Sequence, residues 1–199
     1  VNHYVDNVSS ASIDVMTISG ASPFEDKRTE NDFSIDYLHE KTIMTLTYTD
    51  SSESDYDAKT LSLGISQDMF GDLTTIGMGF SMGDNEVRDN YNENFEEEVM
   101  VRSYNLSLSQ VLTKDLIVSL VMNVVTDEGY LNSPYRMVRY YDSDLGTYAW
   151  QDEEYPNTRT SNAVAIRARY YLAPRGALHV GYRFFSDTWG IEAQTYELG

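Results

Sequence analysis

The chain has 199 residues, no cysteine and a formal net charge of −18, from 32 acidic against 14 basic side chains. It therefore has no disulfide framework and no thiolate metal site, and the phosphates of nucleic acid would be repelled. No apolar run approaches the ~18 residues of a membrane helix, a test blind to strands whose two faces differ, because their hydropathy averages out.

Ten stretches alternate polar and apolar residues with period two, which is incompatible with helix. The first begins at Val1. The second splits Phe33, Ile35 and Tyr37 from Asp32, Ser34 and Asp36, and the third splits Met44, Leu46 and Tyr48 from Thr45, Thr47 and Thr49. Leu61, Leu63 and Ile65 alternate with Ser62, Gly64 and Ser66; Ile76, Met78 and Phe80 with Gly77, Gly79 and Ser81. Tyr104, Leu106 and Leu108 follow, then Leu116–Met122, Val164–Tyr170, Leu178–Phe184 and a tenth stretch over 191–199.

The intervals between stretches are about 20, 3, 10, 4, 17, 3, 35, 4 and 5 residues, the alternation of long loops and tight turns found in transmembrane barrels with strands of about 9–11 residues. The short intervals, His39–Lys41, Phe70–Asp72, Thr113–Asp115 and Pro174–Gly176, carry turn residues. Tyr37, Phe70 and Tyr170 beside short turns, with Tyr48, Tyr104 and Phe184 beside long loops, predict two interfacial girdles. A soluble barrel or sandwich also alternates, but would turn Lys and Glu to water rather than Ser, Thr, Gly and Asn. The expected fold is an all-β, antiparallel, up-and-down transmembrane β-barrel with about ten strands in this chain. Residues 1–199 are expected to form a single barrel segment lacking strands at both ends, because the pattern is already running at Val1 and stops in mid-pattern.

The segments Val8–Asp14, Ser22–Phe24, Tyr37–Thr42, Ser54–Asp57, Gly64–Asp68, Thr126–Arg136, Thr158–Asn162 and Phe185–Gly190 together resemble the domain-of-unknown-function 3570 family of Gram-negative outer-membrane proteins. The resemblance spans essentially the whole chain. It implies a bacterial outer-membrane location, a full-length protein roughly twice this size, and a genomic setting beside small lipoproteins and thioredoxin-like or flavin-transfer proteins. It implies no catalytic or ligand residues.

On the expected lumen face lie Arg167, Arg169, His179 and Arg183. Fixed guanidiniums there would attract anions, or pair structurally with lumenal acids such as Asp32, Asp36, Glu192 or Glu197. Arg183 is expected close to the level of Arg167. The third to sixth stretches present a bare wall of small polar residues inward, open or packed against something bulky; the apolar segment Ser9–Thr29 would either fold inward as a constriction or plug or extend the barrel wall outward as a hairpin. Asp84–Glu98 and Asp127–Arg159 are read as loops with seven acids each. Calcium there is a weak expectation, since Asp55, Asp57, Asp142 and Asp144 have alternate spacing without an EF-hand glutamate. Otherwise no cofactor and no metal site is expected. The longer loop carries Tyr140, Tyr141 and Trp150, a lid or partner-binding surface.

With three histidines and no pair at zinc-ligand spacing, no enzyme is expected. The leading expectation is a porin-like channel for small polar or ionic solutes, in contact with outer-membrane lipid and lipopolysaccharide. The alternative is a scaffold or sheath anchoring a protein partner, a lipoprotein or redox (electron-transfer) component.

Overall fold

The computed structural model describes residues 1–9 and 25–199. Its described residues form twelve strands and no helix: β1 (Asn2–Ser9), β2 (Glu25–His39), β3 (Thr42–Ser52), β4 (Tyr56–Met69), β5 (Thr74–Asp89), β6 (Asn92–Thr113), β7 (Leu116–Gly129), β8 (Met137–Asp142), β9 (Thr147–Asp152), β10 (Thr158–Leu172), β11 (Gly176–Asp187) and β12 (Glu192–Leu198). Ten of them make one antiparallel up-and-down sheet, β1 through β7 and then β10 to β12. β8 and β9 form a separate hairpin inside the longest connection. The sheet is open, with β1 and β12 as its edges.

The ten stretches of alternation are the ten strands of this sheet, but the long intervals are not all loops. β3 and β4 pair up to Ser52 and Asp57, and β5 and β6 up to Asp89 and Asn92, with a register shift at Arg88/Asp89. The acidic Asp84–Glu98 is thus a tall two-stranded ribbon. Hydropathy alternation marks the part of a strand beside the apolar band, whereas backbone pairing continues beyond it, where the acidic side chains Asp84, Glu86, Glu96 and Glu98 take the place of the apolar ones. The Ser9–Thr29 plug lies mostly outside the described residues; its last part, Glu25–Thr29, belongs to β2.

Register keeps apolar beside apolar. One row runs Ile76, Leu108, Leu120, Ile166, Tyr182, Tyr196. Another starts in the apolar part of β2 and runs Ile35, Leu46, Leu63, Phe80, Tyr104, Val124, then leaves it at Asn162, Ser186 and Glu192. The apolar band therefore runs obliquely to the rows. It is centred on Ile35 in β2 but between Val180 and Tyr182 in β11, about five residues from Ser186, where the Ile35 row arrives. At ~3.3 Å per residue and ~4.8 Å per strand this is a tilt on the order of 25°; barrel strands tilt by about 35–45°.

Among the described residues nothing covers the apolar band: Ile35 is 70% exposed, Met78 54% and Ile166 49%. Burial concentrates elsewhere. At the ribbon end of the polar face, Ser51, Asn85, Val87 and Val99 are buried, around a cavity of about 430 Å³ walled by Tyr56, Val87 and Val99 on one side and Leu131–Tyr135 on the other. The first part of the longest connection thus straps across the tips of β4–β6. The strap is anchored where the Tyr130 N–H donates to the Glu98 carbonyl at 3.0 Å, next to Gly129 at φ +122°, whose missing Cβ leaves room for that same carbonyl.

Candidate functional site

Alongside the apolar band the polar face carries the acids Asp32, Asp36 and Asp68 on β2 and β4, and its bases on β10 and β11. On β2, Asp32 accepts a hydrogen bond from Thr49 at 2.7 Å and Asp36 one from Thr45 at 2.6 Å. Six and seven strands further along the sheet, β10 and β11 present Arg167, Arg169, His179 and Arg183 on the same face. Between them β3–β7 show mainly Ser, Thr, Gly and Asn, tied laterally by pairs such as Asn105–Asn123 at 2.5 Å and Ser109–Ser119 at 3.2 Å.

The four basic residues share one face, as the spacing predicts, but their partners differ from the expectation. Arg167 pairs with Glu197 on β12, Nε to Oε2 at 3.1 Å, across the intervening β11. The row is Arg167, Gly181, Glu197. Gly181 makes the contact possible: a Cβ there would stand 2.8 Å from the Glu197 Oε2. Asp32 and Asp36 pair with no arginine, being six strand steps away, and Glu192 pairs with none among the described residues. Arg183 sits opposite Ala165, two pairs beyond the level of Arg167, because Arg167 faces Gly181. Its guanidinium lies over the Phe185 ring, 5.5 Å from the centroid. Arg169 faces His179 directly.

A second arginine, which the sequence reading did not single out, anchors the end of the longest connection. Arg159 gives two hydrogen bonds to Asp187 Oδ2, at 2.9 and 2.6 Å, and lies over the Trp189 ring, which stacks on Tyr155 at 4.9 Å. The other oxygen of Asp187 accepts the N–H groups of Trp189 at 3.0 Å and Ile191 at 2.8 Å. Asp187 stands three residues beyond the apolar band. Burial there pushes its carboxyl up, but the Ile191 N–H, Arg159 and the Trp189 N–H outweigh this and hold it below the ordinary carboxylate range.

The aromatic loop is only partly one surface. On the β8–β9 hairpin, Met137, Arg139 and Tyr141 share a face with Tyr148 and Trp150, whereas Tyr140 sits on the other face opposite Ala149. Period two separates neighbours, so the adjacent pair Tyr140–Tyr141 cannot present both rings together. Tyr141 and Trp150 are about 60% exposed, and Arg139 lies 4.4 Å over the Tyr148 ring. Calcium finds no ligand set: among the described residues no group of three acids or histidines is placed to hold a metal. The Asp142 carboxylate instead caps its own turn, accepting from the Asp144 and Leu145 N–H groups. His39 closes β2 rather than lying in the turn, stacked on Tyr37.

These features define an antiparallel sheet with one exposed apolar face and one polar, charge-segregated face. The chain belongs to the family described as protein of unknown function (DUF3570), which matches residues 5–105 and 89–199. Among curated proteins no match is found. Among solved structures it is similar in fold to the copper transporter OprC, with a TM-score of 0.54 at 12% identity, covering 87% of this chain and 34% of that one. The chain thus spans about a third of that protein's length. The β domain of the Bordetella autotransporter BrkA also aligns, at a TM-score of 0.40 and 13% identity, over 87% of this chain and 76% of that one.

Proposed function

We propose that this chain is a sector of the wall of a bacterial outer-membrane β-barrel, with the apolar face against lipid and lipopolysaccharide. In this reading the polar face lines a porin-like, non-catalytic path for small polar or ionic solutes. The observation that carries it is the oblique, uncovered apolar band. Water would oppose such exposure of Leu, Ile, Met and Phe, whereas hydrocarbon favours it, and tilted membrane strands require the band to run obliquely to the hydrogen-bond rows. The fold shared with OprC supports it. Conductance of the full-length protein in planar bilayers tests the reading: discrete single-channel steps are expected, and a folded, bilayer-inserted protein that never conducts would refute the channel.

A second reading, an anchoring scaffold for a protein partner such as a lipoprotein or electron-transfer component, is favoured by one feature. Among the strands, β8 and β9 touch only each other, and one face of their hairpin displays Tyr141, Tyr148 and Trp150 to solvent. Co-purification of a partner that is lost on Tyr141→Ser plus Trp150→Ser would support it.

A further inference from the structure

We propose that Arg169, Arg183 and His179 form an oxyanion-binding subsite for solutes bearing a carboxylate or phosphate. The proposal rests on the channel reading above and deepens it.

The four basic groups surround a shallow floor. Arg167 and Arg169 stand two residues apart on β10, Arg169 faces His179, and Arg183 is the diagonal neighbour of Arg167. Ala165 and Gly181, both buried, occupy the positions among them and raise no side chain to fill the space. One carboxylate reaches the group, Glu197, and Arg167 engages it. Among the described residues, no acid lies within ion-pair distance of Arg169 or Arg183.

Arg169 and Arg183 each neighbour Arg167 and stand four residue positions, about 13 Å, from one another along the strand pair, near enough for their long side chains to converge and for like charges to repel. That two guanidiniums stay uncompensated here is notable in a chain with 32 acidic residues, because acids at neighbouring positions would have removed the repulsion. An incoming oxyanion removes it instead. The planar guanidinium fork matches both oxygens of a carboxylate or phosphate. Arg183 lies over the Phe185 ring, a contact with an aromatic face rather than with a carboxylate acceptor.

Location favours the same ligand. Asp32 and Asp36 are on β2, six strand steps from β10, and the polar-face acid on the row of Arg167, Asp68, is four steps away on β4 and accepts the Thr75 hydroxyl. A lining segregated in this way draws anions to one wall and cations to the other.

The test uses the full-length protein in planar bilayers under a KCl gradient, with inorganic phosphate as probe. For Arg169→Gln/Arg183→Gln the reversal potential is expected to move toward cation preference. Current reduction by phosphate should need about tenfold more anion, the loss of a charge-assisted hydrogen bond, with melting unchanged. Arg169→Lys/Arg183→Lys keeps the charge but not the fork. It should retain the reversal potential and weaken phosphate sensitivity, and it serves if the Gln pair fails to fold. Unaltered reversal potential and phosphate sensitivity in folded variants would overturn the subsite. If the wild type does not conduct, the channel reading fails by itself. Phosphate titration of the detergent-solubilised protein by calorimetry then decides the subsite: binding weakened by the Gln pair supports it, and no binding to wild type overturns it.

Discussion

Glu197 reaches Arg167 across a whole strand, its Oε2 lying 3.1 Å from the guanidinium Nε, and Gly181 is the gap through which it reaches. The three residues form one row on β10, β11 and β12. Both charged side chains are about half exposed, so water screens the pair and it contributes little to stability by itself.

Gly181→Ala should abolish the pair, because the new Cβ falls on the carboxylate. Thermal melting of Gly181→Ala, Glu197→Gln and the double variant should show small, non-additive losses. Fully additive losses would mean that the row is not coupled.

The two faces should respond oppositely to arginine. At Leu106, Leu120 or Ile166, on the apolar face, arginine should destabilise the full-length protein by about 2–4 kcal/mol if near the midplane. At Ser107 or Ser119, on the polar face, it should be tolerated far better. Denaturant unfolding in detergent or lipid measures the difference, and a reversed order would refute the membrane assignment.

The ribbon end is expected to face outward. Cysteine at Asn92, beside the β5–β6 tip, or at Thr147, beside the β8–β9 turn, should react with a membrane-impermeant maleimide on intact cells. Cysteine at Lys114, in the β6–β7 turn and 90% exposed, should react only after lysis. The chain has no native cysteine to add background.

The strap over the β4–β6 tips should depend on Tyr135. Its hydroxyl accepts the Asn90 N–H at 3.0 Å and bonds Asp55, and burial is the main cause that pushes its pKa up to about 12. The folded-state pKa is raised, so the contribution is intact below about pH 10 and is lost as pH rises toward 12. Tyr135→Phe should cost on the order of 1 kcal/mol of local stability, read as faster proteolysis within 130–136, and should remove the alkaline sensitivity.

The Asp187 anchor should fail in acid. Its folded-state pKa is depressed, so its contribution is present above the ordinary carboxylate range and is lost as pH falls below it. With Trp150→Phe leaving Trp189 as the only tryptophan of the two, fluorescence should change on acidification below about pH 4. Asp187→Asn should show the acid-form signal at neutral pH.

The sequence by itself determined the strands, their faces and the turn end. Alternation at Phe33–Tyr37, Met44–Tyr48 or Leu178–Phe184 is a local property, since a strand between unlike surroundings must sort its side chains with period two. It placed Arg167, Arg169, His179 and Arg183 on one face for the same reason. It was silent beyond the apolar band, where the order of polar and apolar side chains no longer follows the band's. Asp84–Glu98 reads as a loop because its side chains no longer sort, although its backbone stays paired. The β8–β9 hairpin stayed hidden within the longest interval for the same reason, with Tyr140 and Tyr141 counted together. Only the tertiary structure decided which acid answers which base. Asp32, Asp36, Glu192 and Glu197 were equal candidates in one dimension. The register of three strands and the missing side chain of Gly181 gave Arg167 to Glu197 and, among the described residues, left Arg169 and Arg183 without an acid, because ion pairing depends on distance across strands rather than spacing along them.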